Sequence, residues 1–314
     1  MTRIAAVDCG TNSIRLLISD FDGKTFTDVY RGMKIVRLGQ GVDATGKIAE
    51  DSIVRARIAL SEFVEIMKHE QVTALRMVAT SATRDAENRQ EFLDMTAELL
   101  GQVIPGSIAE EISGEEEARL SFQGAVADLG PEARTVCVVD LGGGSTEFVV
   151  GKRDGTILGA HSAQMGCVRL TERIMTSDPA TDEEVVQARD YVARQLADVP
   201  THVPIAQADT FVGVAGTFTT ISALAQGLEE YDPALIHGSK LRFDASRVLT
   251  SSLIGNTSAE RAAHPVMHPG RADVIGSGSV VVEGIMDMIE AATPVRTLII
   301  SEKDILDGIV AGLV

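Results

Sequence analysis

Asp8-Cys9-Gly10-Thr11-Asn12-Ser13 and Asp140-Leu141-Gly142-Gly143-Gly144-Ser145 stand 132 residues apart and read as two versions of one glycine turn. Set in register without a gap, the two regions match at five positions between Asp8 and Gly23. Asp8 meets Asp140, Gly10 meets Gly142, Ser13 meets Ser145, and further on Asp22-Gly23 meets Asp154-Gly155. A short apolar run leads into each turn, Ile4-Ala5-Ala6-Val7 in one copy and Val136-Cys137-Val138-Val139 in the other. Each copy therefore predicts strand, glycine turn, strand, Asp-Gly turn, strand. A repeat at this spacing predicts a duplicated domain with a cleft between the halves.

The chemistry of such turns is specific. Glycine lets the backbone come close to a ligand and adopt positive φ, so successive N–H groups can converge on an anion. Ser13 and Ser145 add hydroxyl donors, and Thr11, Asn12 and Thr146 add polar contacts. Asp8 and Asp140 end apolar strands, where a carboxylate can hold a divalent cation through water. Each turn alone would also suit a plain β-hairpin; the pair at equivalent places in a repeat favours binding. A third cluster, Gly213-Val214-Ala215-Gly216-Thr217, lies between a strand and a helix, where free N–H groups and the positive dipole end offer another anion site.

Beyond each hairpin the pattern changes to strands alternating with helices. In the first half we expect a helix over 51–67, a buried strand over 75–79, a helix over 88–100, a strand around 104–108 and a helix after Ser113. In the second half we expect a helix over 182–196 between Pro179 and Pro200, a strand over 210–214 and a helix over 217–227. Next should come a long helix over 272–291, a strand over 295–300 and a last helix over 304–313. The alternation implies an α/β architecture with covered sheets. The boundary is expected near Phe122–Leu129, giving domains 1–124 and 125–314.

Composition limits the function classes. Of 314 residues, 45% are hydrophobic and 23% charged, enough for a packed core. The formal charge of −17 weighs against general nucleic-acid or membrane-surface binding. It also means that a polyanion would have to be held by local N–H groups, a metal and a few arginines. Cys9, Cys137 and Cys167 form an odd set without CxxC spacing, which favours a reducing compartment over a disulfide framework. The amino terminus enters a strand at once and reads as neither a secretory signal nor a membrane anchor.

Among charged residues, Ser113-Gly114-Glu115-Glu116-Glu117-Ala118 fits a capping box with acidic residues at the positive end of a helix, or one glutamate is a general base. Arg84 follows a buried strand, where α/β ligand sites lie and a guanidinium fork could clamp phosphate. Arg271 opens a helix in a similar context. His264 and His268 are each followed by proline, which argues against a helical zinc pair.

Taken in order, Asp8–Ser13, Ala79-Thr80-Ser81-Ala82-Thr83-Arg84, Ser113–Ala118 and Asp140–Glu147 resemble the exopolyphosphatase/guanosine pentaphosphate phosphohydrolase family, with Gly213–Thr217 and Arg271-Ala272-Asp273 continuing the match. The resemblance implies a duplicated actin/hsp70/sugar-kinase-like (ribonuclease H-like) α/β fold around a central cleft, with the last helix, about 301–314, packed back on the first domain. It makes Glu117 the catalytic base. It assigns Asp140 and Glu147 to a divalent metal, magnesium or manganese, and Asp8, ending its own apolar strand, is expected beside them. Phosphate contacts fall on Asn12, Ser13, Arg84, Gly142, Gly143, Gly144, Ser145, Gly216 and Thr217.

The implied activity is hydrolysis of a phosphoric anhydride, releasing orthophosphate from the end of inorganic polyphosphate. Longer family members carry extra helical domains, so the short two-domain form implies short chains. The resemblance is also compatible with a guanosine pentaphosphate 5′-phosphohydrolase, a kinase of the same fold or a non-catalytic phosphate-binding protein. A cytoplasmic location is expected, with a polyphosphate or nucleotide phosphate ligand, no nucleic-acid or membrane partner, and room for a homodimer.

Overall fold

The computed structural model describes residues 2–314. The chain divides into two compact units, Met1–Leu120 with Ile305–Val314, and Ser121–Asp304.

The first unit contains β1 (Thr2–Cys9), β2 (Ser13–Phe21), β3 (Phe26–Ile35), α1 (Val42–Thr45), α2 (Glu50–His69), β4 (Ala74–Ala79), α3 (Ser81–Arg84), α4 (Arg89–Leu100) and β5 (Ala109–Glu111). Then α5 (Gly114–Val126) follows, and the chain passes to the second unit inside this helix, between Leu120 and Ser121. The sheet order is β3-β2-β1-β4-β5, with β1 antiparallel to β2 and parallel to β4. Because β1 is central, both of its faces are buried, and its sequence is apolar without alternation. Ala5, Val7 and Cys9 pack with the apolar stripes of α2 and α4, including Phe63 and Phe92. On the other face, Ile4 and Ala6 join Leu17, Val78, Ile112 and Leu120.

The second unit contains β6 (Thr135–Leu141), β7 (Thr146–Lys152), β8 (Ile157–Ala163), α6 (Cys167–Arg173), α7 (Asp182–His202), β9 (Thr210–Val214), α8 (Gly216–Ala225), α9 (Pro233–Ile236) and β10 (Lys240–Arg242). It continues with α10 (Phe243–Gly255), α11 (Ser258–Ala262), α12 (Ile275–Ala292) and β11 (Thr297–Ile300). Its sheet runs β8-β7-β6-β9-β11-β10. The first five strands of that order repeat the antiparallel, antiparallel, parallel, parallel pairing of the first unit. Both Asp-Gly turns close as the repeat demands. Gly23 and Gly155 take φ of 100° and 91°, and Asp22 and Asp154 accept backbone N–H groups two residues on.

The last helix, α13 (Ile305–Ala311), belongs to the first unit, where Ile305, Leu306, Ile309 and Val310 cover Ile4, Ala6 and Leu17. Gly308 makes this possible, since a Cβ there would lie 2.0 Å from the Leu120 carbonyl oxygen.

Several element boundaries differ from those expected. Residues 104–108 form turns around Pro105 and Gly106 (φ 85°), and the strand starts only at Ala109. Pro200 does not stop its helix but sits in the last turn, where it removes one amide from a ladder about to end. A 3₁₀ turn over Pro269–Arg271, capped by His268, delays the long helix to Ile275.

Candidate functional site

In the second unit the turn between β6 and β7 is held from behind by the residues at the start of α6. The Gly142 carbonyl accepts the Cys167 amide at 3.1 Å, and the Gly143 carbonyl accepts those of Val168 and Arg169 at 2.9 and 3.0 Å. The Gly144 carbonyl accepts Arg169 Nε at 2.6 Å. In a trans peptide the C=O and the following N–H point in opposite directions. Drawing three successive carbonyls toward α6 therefore turns the amides of Gly143, Gly144 and Ser145 away from it. Among the described residues these three amides donate to no group of the chain. Gly142 is spent differently, since its amide closes the turn on the Ser145 carbonyl at 3.0 Å.

Asp140 and Glu147 are register partners on β6 and β7. Directly opposite residues share a sheet face, so two carboxylates lie side by side, with the residues 8% and 1% exposed. Ser121 donates to Asp140 Oδ2 at 2.5 Å and Ser162 to Glu147 Oε1 at 2.7 Å. Like charges in this relation repel, and hydroxyl donors to each carboxylate offset part of that. Their oxygen chemistry fits magnesium, which commonly takes one or two protein carboxylates and keeps water and phosphate as its other ligands. No group of three His, Cys, Asp or Glu side chains suited to a metal occurs among the described residues.

The equivalent place in the first unit is built otherwise. Asp8 faces Arg15 across β1 and β2, and its Oδ2 accepts Arg15 Nη2 at 2.7 Å and Nε at 3.1 Å. The guanidinium already neutralises this carboxylate, so Asp8 is a weaker metal ligand than Asp140 or Glu147. The turn itself keeps the shared geometry: the Gly10 amide bonds the Ser13 carbonyl at 3.0 Å. The Thr11 carbonyl accepts Gly39 N, and the Asn12 carbonyl accepts Val36 N and Arg37 N. The amides of Asn12 and Ser13 accordingly face away from the segment 36–39.

Elsewhere in the first unit, Arg84 at the end of α3 reaches the first turn of α5. Its Nη1 donates to Glu117 Oε2 at 2.7 Å and to the Ile112 carbonyl at 2.9 Å. The acidic run is thereby divided by role. Ser113 Oγ caps the Glu116 amide, the Glu116 carboxylate binds Arg76, and Glu117 turns to Arg84.

In the second unit, Gly216 and Thr217 open α8 behind Ala215, whose φ of 71° and ψ of 174° belong to a region that L-residues avoid. The Arg271 guanidinium fills the space where a Gly216 Cβ would stand, and donates to the Gly216 carbonyl at 3.1 Å and to Thr220 Oγ1 at 2.8 Å. Thr217 lies against Gly278 of α12, beside Cys167. Burial pushes the Cys167 thiol up to about 11, so it is a packing group rather than a nucleophile.

The structure thus brings Glu117 to Arg84, Asp140 to Glu147, and Gly142–Ser145 into one turn. Sequence reading missed Arg15, Ser121, Ser162, Gly166 and Arg169. Arg15 had a signal, because it falls 132 residues before Glu147. Arg169 had one too, because Val168-Arg169-Leu170 matches Val36-Arg37-Leu38 at the same offset of 132. Ser121, Ser162 and Gly166 are fixed by tertiary contact and carried none.

The family model of the Ppx/GppA phosphatase family matches residues 17–313. Exopolyphosphatase 2 of Mycobacterium tuberculosis is 50% identical over 317 residues, covering 100% of this chain and 99% of that protein. The crystal structure of an exopolyphosphatase-like protein is 38% identical with a TM-score of 0.91, covering 99% of this chain and 98% of the other. That of the Aquifex aeolicus member of the Ppx/GppA family is 31% identical with a TM-score of 0.81, covering 99% and 97%. These neighbours share the α/β, actin-like two-domain fold that the repeated sheet order expresses. With the order of motifs and the match over almost the whole length, the chain belongs to the Ppx/GppA phosphatase family.

Proposed function

We propose that this protein is an exopolyphosphatase, a hydrolase that removes the terminal phosphate of inorganic polyphosphate and releases orthophosphate. The observation that carries the reading is the Gly142–Ser145 turn, whose carbonyls are all committed and whose three following amides are offered outward. Such an amide nest binds an anion without needing net positive charge, which suits a chain of charge −17. The 50% identity to a protein named exopolyphosphatase supports the same substrate class.

In this reading Gly143, Gly144 and Ser145 bind the oxygens of the reacting phosphate, and Arg84, Asn12, Ser13, Gly216 and Thr217 hold other phosphate groups. Glu117 orients the attacking water and accepts its proton. Arg84, bound to Glu117 in the structure, holds that carboxylate oriented until phosphate competes for the guanidinium. Asp140 and Glu147 would hold magnesium, or manganese, with Asp8 a weaker contributor; the ion would neutralise charge on the phosphates. Among the described residues no helix is long and apolar enough to cross a membrane. A cytoplasmic site of action and short chains as preferred substrates complete the proposal, as does a homodimer as the assembly.

The test is phosphate release from short polyphosphate, long polyphosphate and guanosine pentaphosphate, each with magnesium and with chelator. Metal-dependent release from polyphosphate is expected. Release from the nucleotide alone would move the assignment to the pentaphosphate phosphohydrolase, and absence of turnover on all three would refute a hydrolase acting on these anhydrides.

A further inference from the structure

We infer that Arg169, packed with Gly166, is a positioning residue that sets the Gly142–Ser145 turn in its anion-binding form and strengthens its last donor. The inference rests on the proposed reading that this turn binds phosphate. Arg169 is a charged side chain only 8% exposed, which is expensive unless its donors are used. One donor goes to the Gly144 carbonyl at 2.6 Å, and Nη2 reaches Gln164 Oε1 at 3.3 Å. Its own backbone amide holds the Gly143 carbonyl at 3.0 Å, so the residue grips two consecutive peptides of the turn.

Two effects follow. The first is geometric: with its oxygen fixed toward Arg169, the Gly144–Ser145 peptide has its N–H directed away. The second is electronic: a cation on a carbonyl oxygen polarises the peptide, and the N–H at its other end becomes a better donor. The positive charge also lies behind the turn, in a buried place where solvent screens it less than at the surface. Gly166 completes the support. It packs on the face of the Gly143–Gly144 peptide so closely that a Cβ would lie 2.4 Å from both the carbon and the oxygen of Gly143 and 2.7 Å from Gly144 N. No other residue type allows the approach that places the Arg169 side chain under Gly144.

The experiment is a titration of the isotope-labelled full chain with inorganic phosphate, following the amide resonances of Gly143, Gly144 and Ser145 in wild type, Arg169→Met and Arg169→Lys. In wild type all three amides should shift together. In Arg169→Met the phosphate concentration at half-shift should rise at least about tenfold, because a bond from a charged donor is lost behind the turn. Arg169→Lys, which keeps the charge and one donor, should recover part of that; a merely structural role would not follow charge in this way.

A folded Arg169→Met protein that titrates like wild type would overturn the inference while leaving phosphate binding by the turn intact. Wild-type amides indifferent to phosphate would overturn both. If Arg169→Met does not fold, the wild type decides. The Arg169 Nε–H resonance should move in step with the Ser145 amide as phosphate is added, and a stationary Arg169 signal beside a moving Ser145 would reject the coupling.

Discussion

Replacing Glu117 by glutamine separates chemistry from architecture, because the structure sets the two consequences at different sizes. Glu117 Oε2 accepts Arg84 Nη1 at 2.7 Å, with 12% of the glutamate side chain and 19% of the arginine side chain exposed. Glutamine keeps an acceptor oxygen of nearly the same reach and loses the charge. A hydrogen bond to a charged partner is worth about 1.5–3 kcal/mol and a neutral one about 0.5–1.5, so folding should weaken by about 1 kcal/mol. Over 314 residues, at about 2.1 cal/mol/K of unfolding entropy each, that is a fall in Tm of roughly 1.5 °C.

The expected effect on turnover is larger. A positioned base contributes about 10²–10⁴-fold, and at about 1.36 kcal/mol per decade that is roughly 2.7–5.5 kcal/mol of barrier. Alanine would be a poorer probe, since it leaves the Arg84 charge with the Ile112 carbonyl but without its carboxylate and confounds the two effects. The assay is steady-state release of phosphate from polyphosphate with magnesium, alongside thermal melts and substrate binding. Glu117→Gln should bind substrate, melt within a few degrees of wild type and turn over at least about a hundredfold more slowly. A variant within threefold of wild type would refute the base assignment.

Three other outcomes are expected. Gly216→Ala would place its Cβ 2.1 Å from Arg271 Nη2 and 2.3 Å from its Cζ, so the guanidinium must leave, its bonds to the Gly216 carbonyl and Thr220 Oγ1 are lost, and the melt should fall. Gly216 is among the proposed phosphate contacts and Arg271 holds its carbonyl, so KM for polyphosphate should rise about tenfold or more as that support is displaced; an unchanged KM would remove Gly216 from the phosphate contacts. Stability should fall on acidification below pH 6.5, because burial and the stacked His202 ring lower His161, and burial and Arg271 lower His268. A depressed folded pKa means that the unfolded chain takes up protons first, so stability is present above 6.5 and lost as pH falls through the folded values. His161→Gln should flatten the dependence of Tm on pH between 7.5 and 5, and an identical slope would contradict this. Glu147→Gln keeps an acceptor for Ser162 while removing a like-charge pair with Asp140, so the metal-free protein should gain roughly 0.2–1 kcal/mol in stability and lose magnesium-dependent phosphate release. Retained magnesium dependence with an unchanged melt would separate Glu147 from the metal.

The repeat was legible because it is carried by local signals, glycines and aspartates at strand ends, and these transfer directly into the paired registers of β1–β2 and β6–β7. Helices with a strong apolar stripe, such as Glu50–His69, were legible for the same reason. The strand at Ala109–Glu111 was misplaced because it has three residues and no alternation to read. Pro200 misled because the removal of a single amide matters less near a helix end than within it. Within the candidate site, the glycines and acids were visible, but what orients them was not. Arg169 bonds a carbonyl 25 residues away, and its match to Arg37 in the repeat does not by itself disclose that contact.

Duplication alone would make the two turns equivalent, and one cross-strand position makes them different. The partner of Asp8 is Arg15, and the partner of Asp140, at the same place in the repeat, is Glu147. The first pair cancels its own charge and is stable as it stands, with a guanidinium donating twice to one oxygen. The second pair sets two carboxylates side by side in a place less than a tenth exposed, with Ser121 and Ser162 donating to them. A sheet selected for stability alone would not keep two carboxylates in register on one face. Natural proteins retain such local conflicts where a bound group resolves them, and the strain is then a sign of function. In the proposed function the acidic pair beside the three outward amides would be the place where cation and phosphate neutralise each other, and the Asp8 turn would have the lesser task of holding phosphate through the amides of Asn12 and Ser13.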